Sequence, residues 1–146
     1  MQKNLTNKTI IITGSSSGLG FEAAKKFADL GNTVVLACRN AEFGRNAERK
    51  IGKNSLFIPL DVSSRESMDN FVMKFGQKFS NLDILVNNAG VMLHPPQKTK
   101  DGTEITFAIN YLGYFYLSLK LIPKLIGSVN PKIVSVSSIS SYRVGK

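Results

Sequence analysis

The chain has 146 residues, of which 42% are hydrophobic, and its 19 basic and 10 acidic residues give a formal net charge of +9. This length suits one domain with its own core. The basic residues are scattered along the sequence and are not interleaved with stacking aromatics, so composition argues against a specific nucleic-acid-binding protein.

The single cysteine, Cys38, excludes an internal disulfide and favours a reducing compartment. The apolar runs are too short to span a membrane. A first strand that begins near residue 8 leaves no room before it for a signal peptide or an N-terminal anchor. We therefore expect a cytoplasmic protein without a membrane span.

Residues 8–20, KTIIITGSSSGLG, predict a strand, a glycine turn and the start of a helix. The β-prone run 9–12 leads into the turn, and apolar residues at helical spacing follow it. Glycines leave space for a phosphate to reach backbone N–H groups, and the positive end of the helix lies at the same place. A glycine turn without a ligand is the alternative interpretation of this stretch alone.

Four further strands and three helices are predicted beyond this turn. The strands are residues 33–37, 55–61, 83–86 and 132–138, and a weak helix covers 41–51. A helix that Ser63 caps carries apolar residues on one face, namely Met68, Phe71, Val72, Phe75 and Phe79. A long helix over 105–122 is apolar over most of its circumference, so we expect it to be buried and to end or kink at Pro123.

Strands that alternate with helices predict an α/β fold, in which a parallel sheet carries helices on both faces. A Rossmann-type sheet has the order 3-2-1-4-5 over these five strands. We expect residues 1–146 to form one NAD(P)-binding domain of this type that lacks its C-terminal strands. Ligands in such sheets bind outside the carboxyl ends of the strands.

Arg39 and Asn40 follow the second predicted strand, where a Rossmann fold meets the adenosine ribose. An NAD site has an acid here to bind the 2'-hydroxyl, and residues 34–40 contain none. An arginine can pair with a 2'-phosphate, so we expect NADP(H) rather than NAD; an ordinary surface arginine is the alternative. Asp61 and Val62 end the third predicted strand, where a lone Asp is also typical of a turn or a cap.

The segment Asn87-Asn88-Ala89-Gly90 directly follows the fourth predicted strand. Together with TGSSSGLG at residues 13–20, it resembles the short-chain dehydrogenase/reductase family. The stretches NNAGVM, KDGTE, NYLGYF and IVSVSS resemble the retinol dehydrogenase-like branch of that family. The resemblance extends over nearly the whole chain.

The resemblance implies an NADP(H)-dependent oxidoreductase that transfers hydride between nicotinamide and a carbonyl or alcohol of an apolar substrate. Ser138 matches the family's catalytic serine, which hydrogen-bonds the reacting oxygen, and Asn110 matches the asparagine that holds a water in the proton relay. The implied cofactor-binding residues are Gly14, Ser15, Ser16, Ser17, Gly18, Leu19, Gly20, Arg39, Asn40, Asp61, Val62, Asn88, Ala89 and Gly90. A homodimer is expected if the missing C-terminal part is present.

The family also uses a Tyr-x-x-x-Lys pair, and neither of the two matches in this sequence fits. Tyr116 of the Tyr116/Lys120 pair lies roughly 9 Å along the helix from Asn110, away from the strand ends, and is expected to be a packing residue. Tyr142 of the Tyr142/Lys146 pair follows Ser138 too closely to lie on a further helix. The alternative to an enzyme fragment is thus a truncated, catalytically inactive nucleotide-binding module. Cys38 and His94 lack the partner spacing of a metal site.

Overall fold

The computed structural model describes residues 5–138, so Tyr142 and Lys146 lie outside the described residues. Its five parallel strands form one sheet with the order β3-β2-β1-β4-β5, which confirms the predicted Rossmann-type topology. The strands are β1 (Thr9–Thr13), β2 (Thr33–Cys38), β3 (Ser55–Pro59), β4 (Ile84–Asn87) and β5 (Lys132–Ser135).

Four helices cover the two faces of this sheet. They are α1 (Gly18–Asp29), α2 (Ala41–Ile51), α3 (Arg65–Lys78) and α4 (Ile105–Leu125). Successive strand residues point to opposite faces, so Ile10 and Ile12 pack with α1 and α2, whereas Ile11 packs with α3 and α4. Both faces are covered at the central strands β1, β2 and β4, which are accordingly buried along most of their length and apolar without alternation.

Several predicted boundaries are wrong by a few residues. The N-cap of α3 is Ser64, whose side chain accepts a hydrogen bond from the Ser67 N–H, and Ser63 instead donates to Asp61. Two of the predicted strands are shorter than expected, since β3 ends at Pro59 and β5 at Ser135. Polar hydroxyls near a helix start can satisfy either the helix or the preceding turn, which is why spacing alone did not choose between the two serines.

The expectation that α4 is buried is wrong for one of its faces. Its inner face is buried at Ala108, Ile109, Leu117, Leu121 and Leu125. Its outer face is between 40% and 60% exposed at Phe107, Tyr111, Phe115, Leu119 and Ile122. The helix contacts α3 and the sheet, and no described element lies over the outer face.

The helix also continues past Pro123 to Leu125. A proline in the last turn of a helix removes one backbone hydrogen bond. The packing of Leu121 and Leu125 on the core keeps this last turn helical. Within residues 5–138, α4 alone is long and apolar enough to cross a membrane. A single helix of this kind is weak evidence for a span, since core helices share both properties.

Candidate functional site

The carboxyl ends of β1 and β4 are joined by the side chain of Thr13. This residue is fully buried, and its Oγ1 accepts hydrogen bonds from the Asn88 and Ala89 N–H groups, both at 2.9 Å. The same hydroxyl donates to the Val86 carbonyl at 3.4 Å. Thr13 therefore holds the NNAG segment against the glycine turn. Sequence reasoning did not assign it this role, although its position directly before the first glycine was the available signal.

The side chain of Asn88 also links the end of β4 to the end of β1. Its Nδ2 donates to the Thr13 carbonyl at 2.9 Å and to the Gly14 carbonyl at 3.3 Å. The glycines permit this approach: a Cβ on Gly14 would lie 2.8 Å from Ala89 Cα, and one on Gly20 would lie 2.5 Å from Asn88 Nδ2. A side chain at either glycine would force the two segments apart.

Helix α1 begins directly after the glycine turn, with its N-terminus at the edge of the sheet. Its N-cap residue, Ser17, makes no side-chain hydrogen bond to the first turn, and that turn contains no acidic residue. The N–H groups of the first turn thus keep their capacity to bind an anion, which the helix dipole also favours.

A cavity of about 510 Å³ opens at this edge. Nearly all the predicted cofactor-binding residues line it: Gly14, Ser16, Ser17, Leu19, Gly20, Arg39, Asn40, Asp61, Val62, Asn88, Ala89 and Gly90. The lining residues that the sequence analysis did not select are Ala37, Cys38, Phe43, Leu60, Val91 and Ile109. They are apolar or weakly polar residues, and among them Val91 alone lies in a motif named above, so the other five carry no sequence signal.

Two predicted residues, Ser15 and Gly18, do not line the cavity. Ser15 is fully buried, and its Oγ has no hydrogen-bond partner among the described residues. Its side chain therefore lies inside the protein, whereas its neighbours Gly14 and Ser16 line the cavity. Ser15 and Gly18 belong to the turn itself, and their assignment as cofactor-binding residues stays a prediction.

One basic and one acidic residue, Arg39 and Asp61, line the end of the cavity beside β2 and β3. Arg39 is exposed there, and Asp61 is the only acid among the lining residues described. One Asp61 oxygen, Oδ1, already accepts from the Ser63 N–H at 2.9 Å and the Ser63 hydroxyl at 2.6 Å. Burial raises the pKa of the Cys38 thiol, against an opposing hydrogen bond from Ser16, so this cysteine stays neutral beside the arginine.

Asn110 clamps the segment that follows the NNAG motif. Its Oδ1 accepts from the Val91 N–H at 2.9 Å, and its Nδ2 donates to the Val91 carbonyl at 2.8 Å. It lies within a π-helical turn of α4, Ala108–Gly113, a local widening that is frequent at functional sites. Asn110 does not itself line the cavity, but Val91 does.

Ser138 lies just beyond the carboxyl end of β5, at the same edge of the sheet, and is exposed. Tyr116 lies elsewhere: its hydroxyl is 3.1 Å from Asp69 Oδ1 on α3, which also pairs with Lys120 at 2.8 Å. Hydrogen bonding to Lys120 lowers the pKa of Asp69. The Tyr116/Lys120 pair thus joins α3 to α4 and does not reach the cavity.

A family model described as short chain dehydrogenase matches residues 8–145. The chain belongs to this family. The predicted family is therefore confirmed. A solved 3-ketoacyl-(acyl-carrier-protein) reductase from Brucella melitensis, complexed with NADH, has a TM-score of 0.83 at 31% identity and matches 95% of this chain and 60% of that one.

The curated relatives support the predicted branch of the short-chain dehydrogenases. Human retinol dehydrogenase 11 is 38% identical over 143 residues, which cover 94% of this chain and 45% of that protein. Human polyprenol dehydrogenase is 38% identical over 145 residues, which cover 93% of this chain and 44% of that protein. The chain thus resembles the retinol dehydrogenases and spans a little under half the length of these relatives.

Proposed function

We propose that this chain is the cofactor-binding part of an NADP(H)-dependent oxidoreductase that acts on a carbonyl or alcohol of an apolar substrate. One observation carries the cofactor choice: Arg39 lies in the cavity at the end of β2, where an NAD site would have an acid. A guanidinium at this position can form charge-assisted hydrogen bonds with a 2'-phosphate, and its hydrogen bond to a neutral 2'-hydroxyl would be weaker.

The residues present fit such a dinucleotide. The N–H groups at the start of α1 would hold the pyrophosphate, since no side chain caps them. Asp61 would accept from the adenine amino group through its second carboxylate oxygen, and Asn88, Ala89 and Gly90 would lie against the nicotinamide ribose. When bound, the nicotinamide supplies or accepts the hydride.

The catalytic assignment is also a proposal. Ser138 would donate a hydrogen bond to the reacting oxygen of the substrate. Asn110, which its two bonds to Val91 hold in place, would position a water for proton transfer. We also propose that residues 1–146 form one incomplete Rossmann domain, since the chain covers only 45% of retinol dehydrogenase 11. The homodimer is proposed only for a protein in which the missing C-terminal part is present.

A nucleotide-binding module without catalysis is the second candidate. It is favoured by Tyr116 and Lys120, which are engaged with Asp69 between α3 and α4 and so supply no acid/base pair at the cavity. Reduction of an apolar aldehyde by the 146-residue chain with NADPH would favour the enzyme, whereas NADPH binding without turnover would favour the module.

The cofactor proposal predicts the behaviour of Arg39→Asp in calorimetric titrations with NADPH and NADH. We expect the unmodified chain to prefer NADPH, and the variant to lose about tenfold or more in NADPH affinity, because it replaces a phosphate partner by a like charge. Arg45→Asp is the matched control: it makes the same charge change on α2, and Arg45 does not line the cavity. A folded, unmodified chain that binds neither nucleotide would refute the proposal.

A further inference from the structure

Phe43 is an exposed aromatic residue in the wall of the cofactor cavity. It lies in the first turn of α2, is 57% exposed and lines the cavity together with Arg39, Leu60 and Val62. A single exposed phenylalanine needs no explanation in general. Phe43 differs from other exposed aromatic residues because it lines the same cavity as Leu60 and Val62. These two buried apolar residues follow β3 in the sequence.

The position of Phe43 is fixed by the way α2 is anchored. Asn40 caps the helix by accepting a hydrogen bond from the Phe43 N–H at 3.0 Å. Gly44, the next residue, packs against β3 so closely that a Cβ there would lie 2.2 Å from a ring carbon of Phe57. One turn later, Glu48 Oε1 accepts from the Phe57 N–H at 2.9 Å. These three contacts set the rotation of α2 about its axis, and that rotation puts Phe43 at the mouth of the cavity.

We infer that Phe43 is an adenine-contact residue, whose ring forms the outer wall of a slot that Leu60 and Val62 close on the inner side. The inference rests on the proposed binding of NADP(H). A purine is flat and has two apolar faces, so it is held best between an aromatic ring and aliphatic side chains. Asp61, between Leu60 and Val62, offers a carboxylate to the edge of the base, and Arg39 offers its charge to the ribose phosphate.

The test is calorimetric titration of the 146-residue chain with NADPH and with adenosine 2',5'-bisphosphate, which keeps the adenine and lacks the nicotinamide. We expect Phe43→Ala to weaken both ligands by about tenfold, as the loss of base stacking on an aromatic ring does. Phe43→Tyr keeps the ring and should bind both within about twofold of the unmodified chain.

Phe115→Ala is the matched control, because Phe115 is 58% exposed on α4 and does not line this cavity. It should leave both affinities unchanged. If Phe43→Ala is folded by circular dichroism and binds as tightly as the unmodified chain, the role of Phe43 is refuted while NADP(H) binding stands. If the unmodified chain binds neither ligand, the proposed function and this inference both fail.

Discussion

At the level of single residues, the site depends on the hydroxyl of Thr13, which forms hydrogen bonds with three backbone groups. Thr13 Oγ1 accepts from the N–H groups of Asn88 and Ala89 and donates to the carbonyl of Val86. All of these groups lie at the junction of β1 and β4, where water has no access to Thr13. Buried N–H groups that lose their acceptor keep the full cost of their desolvation. The geometry of the NNAG segment therefore follows from Thr13.

We expect Thr13→Val, which keeps the shape and removes the oxygen, to lower the free energy of unfolding by about 1–3 kcal/mol. Urea unfolding measures this change. Amide hydrogen exchange locates it, since the N–H groups of Asn88 and Ala89 should exchange faster in the variant. Thr13→Ser keeps the acceptor and should leave both amides protected. Equal exchange in the valine and serine variants would contradict the role given to the hydroxyl.

At the scale of elements, the opposite edge of the sheet is held together by a carboxylate. Asp83, just before β4, accepts from the Thr9 N–H of β1 at 2.9 Å and from Lys8 Nζ at 3.1 Å, and also from the Ser128 hydroxyl in the turn before β5. Burial raises the pKa of Asp83, but the bonds from Ser128, Thr9 and Lys8 outweigh it, so the net pKa lies below the ordinary 3.8.

A carboxyl whose pKa is lowered by folding stabilises the protein above its unfolded pKa and loses that contribution as the pH falls through its folded pKa. We therefore expect Asp83→Asn to reduce stability at neutral pH by about 1–3 kcal/mol. The difference from the unmodified chain should shrink as the pH falls below 3.8. Urea unfolding across this pH range measures both effects.

Asp29→Asn is the control for this experiment. Among the residues that the structure describes, Asp29 pairs with Lys25 alone, at i and i+4 on the exposed surface of α1, and such pairs contribute about 0.3–0.5 kcal/mol. A loss as large in Asp29→Asn as in Asp83→Asn would mean that general charge, and not the linkage of β1, β4 and the turn before β5, sets the stability.

At the scale of the whole molecule, one side of the described chain is apolar and uncovered. The outer face of α4 is exposed, and beside it the edge strand β5 is exposed at Ile133 and Val134, to 48% and 46%. Successive residues of a strand point to opposite faces, so both faces of β5 are open. The unpaired backbone groups of an apolar edge strand, even one as short as β5, can pair with another chain.

We expect the 146-residue chain to self-associate with increasing concentration, and Val134→Lys to raise the concentration at which association begins, because a lysine on an edge strand opposes pairing. Light scattering over a concentration series measures this onset. Val129→Lys adds the same charge at a fully exposed position outside β5, and should shift the onset less. If both variants raised the onset concentration equally, net charge alone would explain the change and the role of the β5 edge would be refuted.

How far the sequence predicts the structure depends on whether a residue's role is local. Strand order and the glycine turn were predictable because apolar periodicity and the spacing of Gly14, Gly18 and Gly20 are local patterns. The exposure of α4 was not, since an apolar circumference indicates only that a face can be buried, and whether a neighbour covers it is decided by other parts of the chain. The N-cap at Ser64 was missed because Ser63 has the same chemistry one position earlier.

For the candidate site, the family, the sheet topology and the residue types at the strand ends follow from the amino-acid sequence alone, because short motifs carry them. Which of those residues share a cavity depends on the three-dimensional fold. The fold buries the Ser15 side chain, gives Thr13 its three partners across 73 to 76 residues of sequence, and brings Phe43 to the cavity through the packing of Gly44 on Phe57. Such contacts depend on distances between segments remote in sequence, which no local pattern encodes.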